Sequence, residues 1–198
     1  MNKSSKKIQI IYFLLLQLII FYWVFIYESD LYLLLYFCYH APLLIVITHW
    51  FNLEKKLIPS IIMIGLFAQL LYVFDFVIAM IIQDSYLNYF EFHLNTPIWS
   101  KILVLMAHLS TTVLLLTNYT IKPTISHLKY SFSYFIVLYF PILLYVPQYY
   151  NVNAIVKTYT ILDNLPLYQE LYLLYTLIFV LIPTYYLLKL IEKISVKK

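Results

Sequence analysis

Apolar residues in this chain come in long unbroken runs rather than in alternation. Six stretches stand out: Ile8–Tyr27, Leu31–Phe51, Leu57–Gln83, Pro97–Tyr119, Tyr130–Tyr150 and Tyr168–Ile191. A bilayer core is about 30 Å thick and takes about 20 mostly apolar residues of helix to cross. Membrane-spanning strands are about 10 residues long and alternate in polarity, so runs of this length and continuity exclude them. The pattern predicts an all-α fold, a polytopic membrane helical bundle of six transmembrane helices forming a single domain over residues 1–198. The first run follows Lys3, Lys6 and Lys7, as the core of a signal peptide does. It is longer than such a core, and bulky Phe21, Tyr22, Trp23 and Phe25 stand where small residues would mark cleavage, so it is expected to be a retained helix.

Composition sharpens the class. Only 11% of residues are charged and 64% are hydrophobic, against about 25% charged in a soluble domain; the mean hydropathy is +0.84. Disordered chains are poor in apolar residues, and a disulfide scaffold needs cysteine pairs, whereas Cys38 is alone. The net charge of +4 does not point to nucleic acid, because there is no arginine and the lysines sit in short clusters between apolar runs.

Those clusters set an orientation. Lys3, Lys6, Lys7, Lys55, Lys56, Lys122, Lys129, Lys189, Lys193, Lys197 and Lys198 fall on one side of the six-helix topology, and only Lys101 and Lys157 on the other. Lysine bias marks the cytoplasmic side, so both termini are expected there. Glu28, Asp30, Asp84, Glu91, Asp163 and Glu170 fall on the opposite side. Trp23, Trp50 and Trp99 lie near expected helix ends, where an amphipathic ring favours the headgroup level.

Polar residues inside the runs carry the functional information, since each is costly at membrane depth. In the third run Gly65, Ala68, Tyr72, Asp75, Ala79 and Gln83 recur at steps of three and four, which predicts one close-packing face with Gln69 beside it. Helix 2 carries His40, and helix 4 carries Lys101, His108, Thr111 or Thr112, and Asn118 near one face. His40, Asp75 and His108 lie nine, eight and eleven residues from the external ends of their runs. At about 1.5 Å per residue that is roughly 12–17 Å deep for all three. They therefore suggest one constellation between helices 2, 3 and 4. The same three would suit two-histidine, one-carboxylate metal chemistry, although no HxxxH or HExxH spacing supports it. The plainer reading makes the histidines interhelical hydrogen-bonding glue and Cys38 a small packing residue.

Several segments resemble a group of bacterial multi-pass membrane proteins with no established activity. They are His40-Ala41-Pro42-Leu43-Leu44, Gln69-Leu70-Leu71-Tyr72-Val73-Phe74-Asp75-Phe76, His108-Leu109 and Asn151-Val152-Asn153. The group carries His-x-Pro-Leu-Leu, Gln-x-Leu-Trp-x-x-Asp, a histidine on the fourth helix, and Asn-x-Asn-Trp. Tyr72 and Ala154 depart from it where the group has tryptophan. The resemblance implies a bacterial cell membrane and adds Asn151 and Asn153 to the ligand-binding candidates His40, Gln69, Tyr72, Asp75 and His108. Six helices of this length are also similar to the substrate-binding components of energy-coupling-factor importers, but helix 1 lacks the alanines that dock those proteins.

The expected partners are the lipid bilayer, a small molecule or ion, and another membrane protein. The best functional expectation is binding or translocation of a small molecule or ion through a polar site between helices 2, 3 and 4. One alternative is a non-catalytic membrane partner or assembly protein. Another is an intramembrane enzyme for a lipid-like substrate. No phosphate loop, nucleophile elbow or cysteine pair names a cofactor.

Overall fold

The computed structural model describes residues 3–82, 97–117, 122–147, 167 and 169–195. These residues form an all-α bundle. Its helices are α1 (Lys3–Tyr22), α2 (Phe37–Trp50), α3 (Glu54–Ile82), α4 (Ile98–Thr117), α5 (Ile125–Tyr145), α6 (Tyr172–Thr176) and α7 (Ile182–Ser195). A π-helical segment, Trp23–Glu28, prolongs α1, and another, Leu177–Leu181, joins α6 to α7. Five stretches are long and apolar enough to cross a membrane: Ser5–Glu28, Glu54–Ile82, Ile98–Thr117, Ile125–Tyr145 and Tyr172–Ile194. Large apolar side chains such as Ile11, Leu15, Ile81, Leu116, Val137 and Leu144 are left exposed on their outer faces. A soluble monomer does not expose apolar surface on this scale, whereas acyl chains cover it without cost.

The second apolar run departs from expectation, because it is not one helix. Asp30 accepts a hydrogen bond from the Tyr32 backbone N–H at 3.0 Å and starts a 3-10 turn, Leu31–Leu35. Tyr36 is extended, and α2 begins only at Phe37. Pro42 lies inside α2, five residues past its start, and the helix runs through it although it has no N–H to give Cys38 O. The α2–α3 turn is tight. Asn52 takes a left-handed backbone (φ 55°), with Leu53 N–H donating to Thr48 O at 2.8 Å and Asn52 N–H to His49 O at 3.3 Å. This is a Schellman motif, which closes the carbonyl end of α2 and reverses the chain into α3.

Helix α3 is the centre of the bundle and packs against α2, α4, α5 and α7. Gly65 explains how the helices come so close. A Cβ there would press on Phe37 Cε1 from α2 and lie 2.7 Å from Thr111 Cγ2 of α4. The inner face of α3 runs through Gly65, Gln69, Tyr72, Asp75 and Ala79, whereas Ala68, expected on that face, is exposed. The glutamine takes the inner position because α4 offers it a hydrogen-bonding partner. Trp23 also departs from its expected headgroup-level setting: it is buried in the bundle with its ring 5.4 Å from Tyr39, while Trp50 and Trp99 are exposed.

Candidate functional site

Polar side chains expected from the sequence converge between α3 and α4. Gln69 is 3% exposed, and its Oε1 accepts from the Thr111 backbone N–H at 3.2 Å and from the Thr111 hydroxyl. Two donors on one atom fix the orientation of the amide and leave its Nε2 without a hydrogen-bond partner among the described residues. One turn along, Tyr72 stacks on His108 with ring centroids 3.6 Å apart and planes 12° from parallel. His108 Nδ1–H donates to Val104 O at 2.8 Å, one turn back on its own helix. The proton therefore sits on Nδ1, and Nε2 is the acceptor nitrogen. Tyr39 of α2 meets the same imidazole edge-on, with centroids 6.3 Å apart. Asp75 follows one turn beyond Tyr72 and is 0% exposed. The carboxyl is thus inside the bundle and shielded from lipid, the setting in which an intramembrane acid is tolerated.

His40 belongs to a different network. Its Nδ1–H donates to Leu34 O at 2.9 Å, and its Nε2 accepts from the Tyr134 hydroxyl of α5 at 2.5 Å. Both nitrogens are in use, so this ring ties the 3-10 turn and α2 to α5. The expected grouping of His40 with Asp75 and His108 is therefore divided: α3 and α4 join Tyr72, Gln69, Thr111 and His108, while His40 turns to α5. Among the described residues no three His, Cys, Asp or Glu side chains gather closely enough to hold a metal ion. The metal expectation for His40, Asp75 and His108 is corrected accordingly. Similar depth along three helices does not fix which way each ring turns around its own axis. Asn151 and Asn153 lie outside the described residues.

Two further polar groupings escaped the sequence. At the lysine-rich end Lys6 bonds Glu54 at 2.5 Å and Asn52 Oδ1 at 2.6 Å, and His49 Nδ1 lies 3.4 Å from the same carboxylate. Lys6 lies in the first turn of α1 and Glu54 opens α3, so only the α2–α3 reversal brings them together. The second is a clamp between α3 and α5. His127 Nε2–H donates to Lys55 O at 3.0 Å, while its Nδ1 accepts from Thr124 N–H at 3.0 Å. Ser60 donates to His127 O at 3.1 Å, and Ser131 donates to Ser60 O at 3.2 Å and His127 O at 2.8 Å. Ser60 and Ser131 are small residues at a helix contact, a signal the sequence carries but does not pair.

Fold and surface together define a polytopic α-helical membrane protein with a polar core between α3 and α4. Comparison with models of protein families, with curated proteins and with solved structures finds no match to this chain.

Proposed function

We propose that this is a multi-pass cell-membrane protein, with both termini in the cytoplasm, that binds or passes a small molecule or ion at a polar site between α2, α3 and α4. The observation that carries this reading is an incompletely bonded amide, Gln69, buried on the same inner face of α3 as Asp75. A carboxyl with 0% exposure lies one turn from the Tyr72–His108 stack, and the next turn holds Gln69 with its Nε2 unpartnered. An amide donor buried without a partner costs about 1–3 kcal/mol, and a ligand that accepts from it recovers that cost. The likeness of the Gln69–Phe76 and His40–Leu44 segments to the group of bacterial membrane proteins supports the same location.

The site residues divide by role. Gln69 donates through Nε2, and the Tyr72–His108 stack and Asp75 line the same stretch of the core. His40 and Tyr134 hold α2 and α5 in place around them. The completeness of the His40 bonds favours the second reading, a non-catalytic assembly partner whose polar core only locks helices.

Native mass spectrometry of the protein extracted from its own membrane separates the two. Wild type is expected to carry a small non-covalent adduct that falls at least tenfold in both Gln69→Leu and Asp75→Asn, with helical content unchanged by circular dichroism. Identical spectra for all three proteins would refute the binding site and leave the assembly role.

A further inference from the structure

The α3–α5 clamp has a consequence at the bundle surface. Helices α3 and α5 start at the same end of the molecule, and the His127–Lys55 bond sets their first turns side by side. Two helix N-termini, each equivalent to roughly half a positive charge, therefore point the same way. The first turn of α5 contains no acid. The acid in the first turn of α3, Glu54, is bonded to Lys6 of α1. Around this paired end Lys55, Lys56, Lys122 and Lys129 are all exposed, and none has an acidic partner among the described residues. Lys56 holds its ammonium 5.4 Å from the centre of the Tyr130 ring. Tyr130 is itself half-exposed. An amphipathic ring carrying a lysine is the chemistry of the headgroup layer.

Four lysines and a tyrosine at this paired end, bordering the apolar girdle, suit an anion that is attached to acyl chains. We propose that the α3–α5 N-terminal patch is a binding site for the phosphate headgroup of an anionic phospholipid. The ammonium groups of Lys55, Lys56, Lys122 and Lys129 meet the phosphate. The acyl chains lie along the outer faces of α3 and α5, where Phe67, Ile136 and Phe140 are exposed. The site is separate from the polar core between α3 and α4, and its fate does not depend on that core binding anything.

The test uses full-length delipidated protein and native mass spectrometry with equimolar dioleoyl phosphatidylglycerol and dioleoyl phosphatidylcholine. Wild type is expected to retain the phosphatidylglycerol at least fivefold over the phosphatidylcholine. A K55Q/K56Q/K122Q/K129Q variant is expected to lose that preference, and the milder K56Q/K129Q variant to lose part of it. A K7Q/K193Q variant, which removes the same charge as the milder one from the same end, is expected to keep it. Excess inorganic phosphate is expected to leave the bound phosphatidylglycerol in place, because it lacks the chains. Equal retention of both lipids by wild type, or full preference in the quadruple variant, would overturn the proposal. Displacement by inorganic phosphate would overturn the lipid assignment.

Discussion

Gly65 sets the distance at which the three inner helices meet. With no side chain it admits Phe37 and Thr111 to within what would be overlap for any larger residue. Gly65→Ala therefore forces two buried neighbours on different helices to move at once. Overpacking of this kind costs about 1–3 kcal/mol, and the loss is expected as an earlier transition when the purified protein is unfolded with increasing denaturing detergent. An Ala68→Leu control, at an exposed position one turn away, should leave that transition in place; an unchanged transition in Gly65→Ala would show that the helices are not in close contact there. The lone glycine and its helical stripe were legible from the sequence because small residues at steps of three and four have few other uses in a membrane helix. Which residue of the Ala68–Gln69 pair faces inward was not. That choice is made by Thr111, which satisfies an amide on α3 only if the amide points at it. The same limit hid the division of His40 from His108: depth follows from counting residues, but rotation about the helix axis follows from partners on other helices.

Among the elements, α3 and α5 are joined by side chains that close on each other's backbone. His127 bridges Lys55 O and Thr124 N–H, and Ser131 answers Ser60 across the seam. The first N–H groups of a helix have no intrahelical partner, and Pro59 has no N–H to give Lys55 O, so both imidazole bonds relieve a real deficit. His127→Ala removes both imidazole bonds and is expected to lower stability by about 1–2 kcal/mol, with interhelical bonds in membrane proteins averaging below 1 kcal/mol each. Ser126→Ala, on the exposed side of the same turn, is the matched control. Equal unfolding transitions for the two variants would mean that the clamp contributes nothing. The six apolar runs announced the elements themselves, since nothing but a helix satisfies that much backbone in lipid. Their internal breaks were less visible. The 3-10 turn before α2 and the π segments at Trp23–Glu28 and Leu177–Leu181 change hydrogen-bond register without changing hydrophobicity, so an apolar run reads the same with or without them.

For the whole molecule the governing asymmetry is charge. The six-helix reading of the sequence assigns eleven of the thirteen lysines to one side, that of the α2–α3 turn and the α4–α5 connection. The fold brings several of them together at one end: Lys6 from α1, Lys55 and Lys56 from α3, and Lys129 from α5 all lie near the Glu54 and His127 contacts. In the proposed orientation, with that end cytoplasmic, those ammonium groups do not cross the bilayer, and each crossing would oppose the bias that orients helices during insertion. A reporter active only outside the cell, fused after Lys198, is therefore expected to be silent, and the same reporter inserted between Ile82 and Ile98 to be active. Lys55→Gln, Lys56→Gln and Lys129→Gln together are expected to weaken the contrast, because they remove three charges from two inward turns while leaving every apolar run intact. An active C-terminal fusion with a silent insertion would invert the molecule. Asp75 and His108 would then be approached from the opposite side, and the lysine patch would face the outer leaflet.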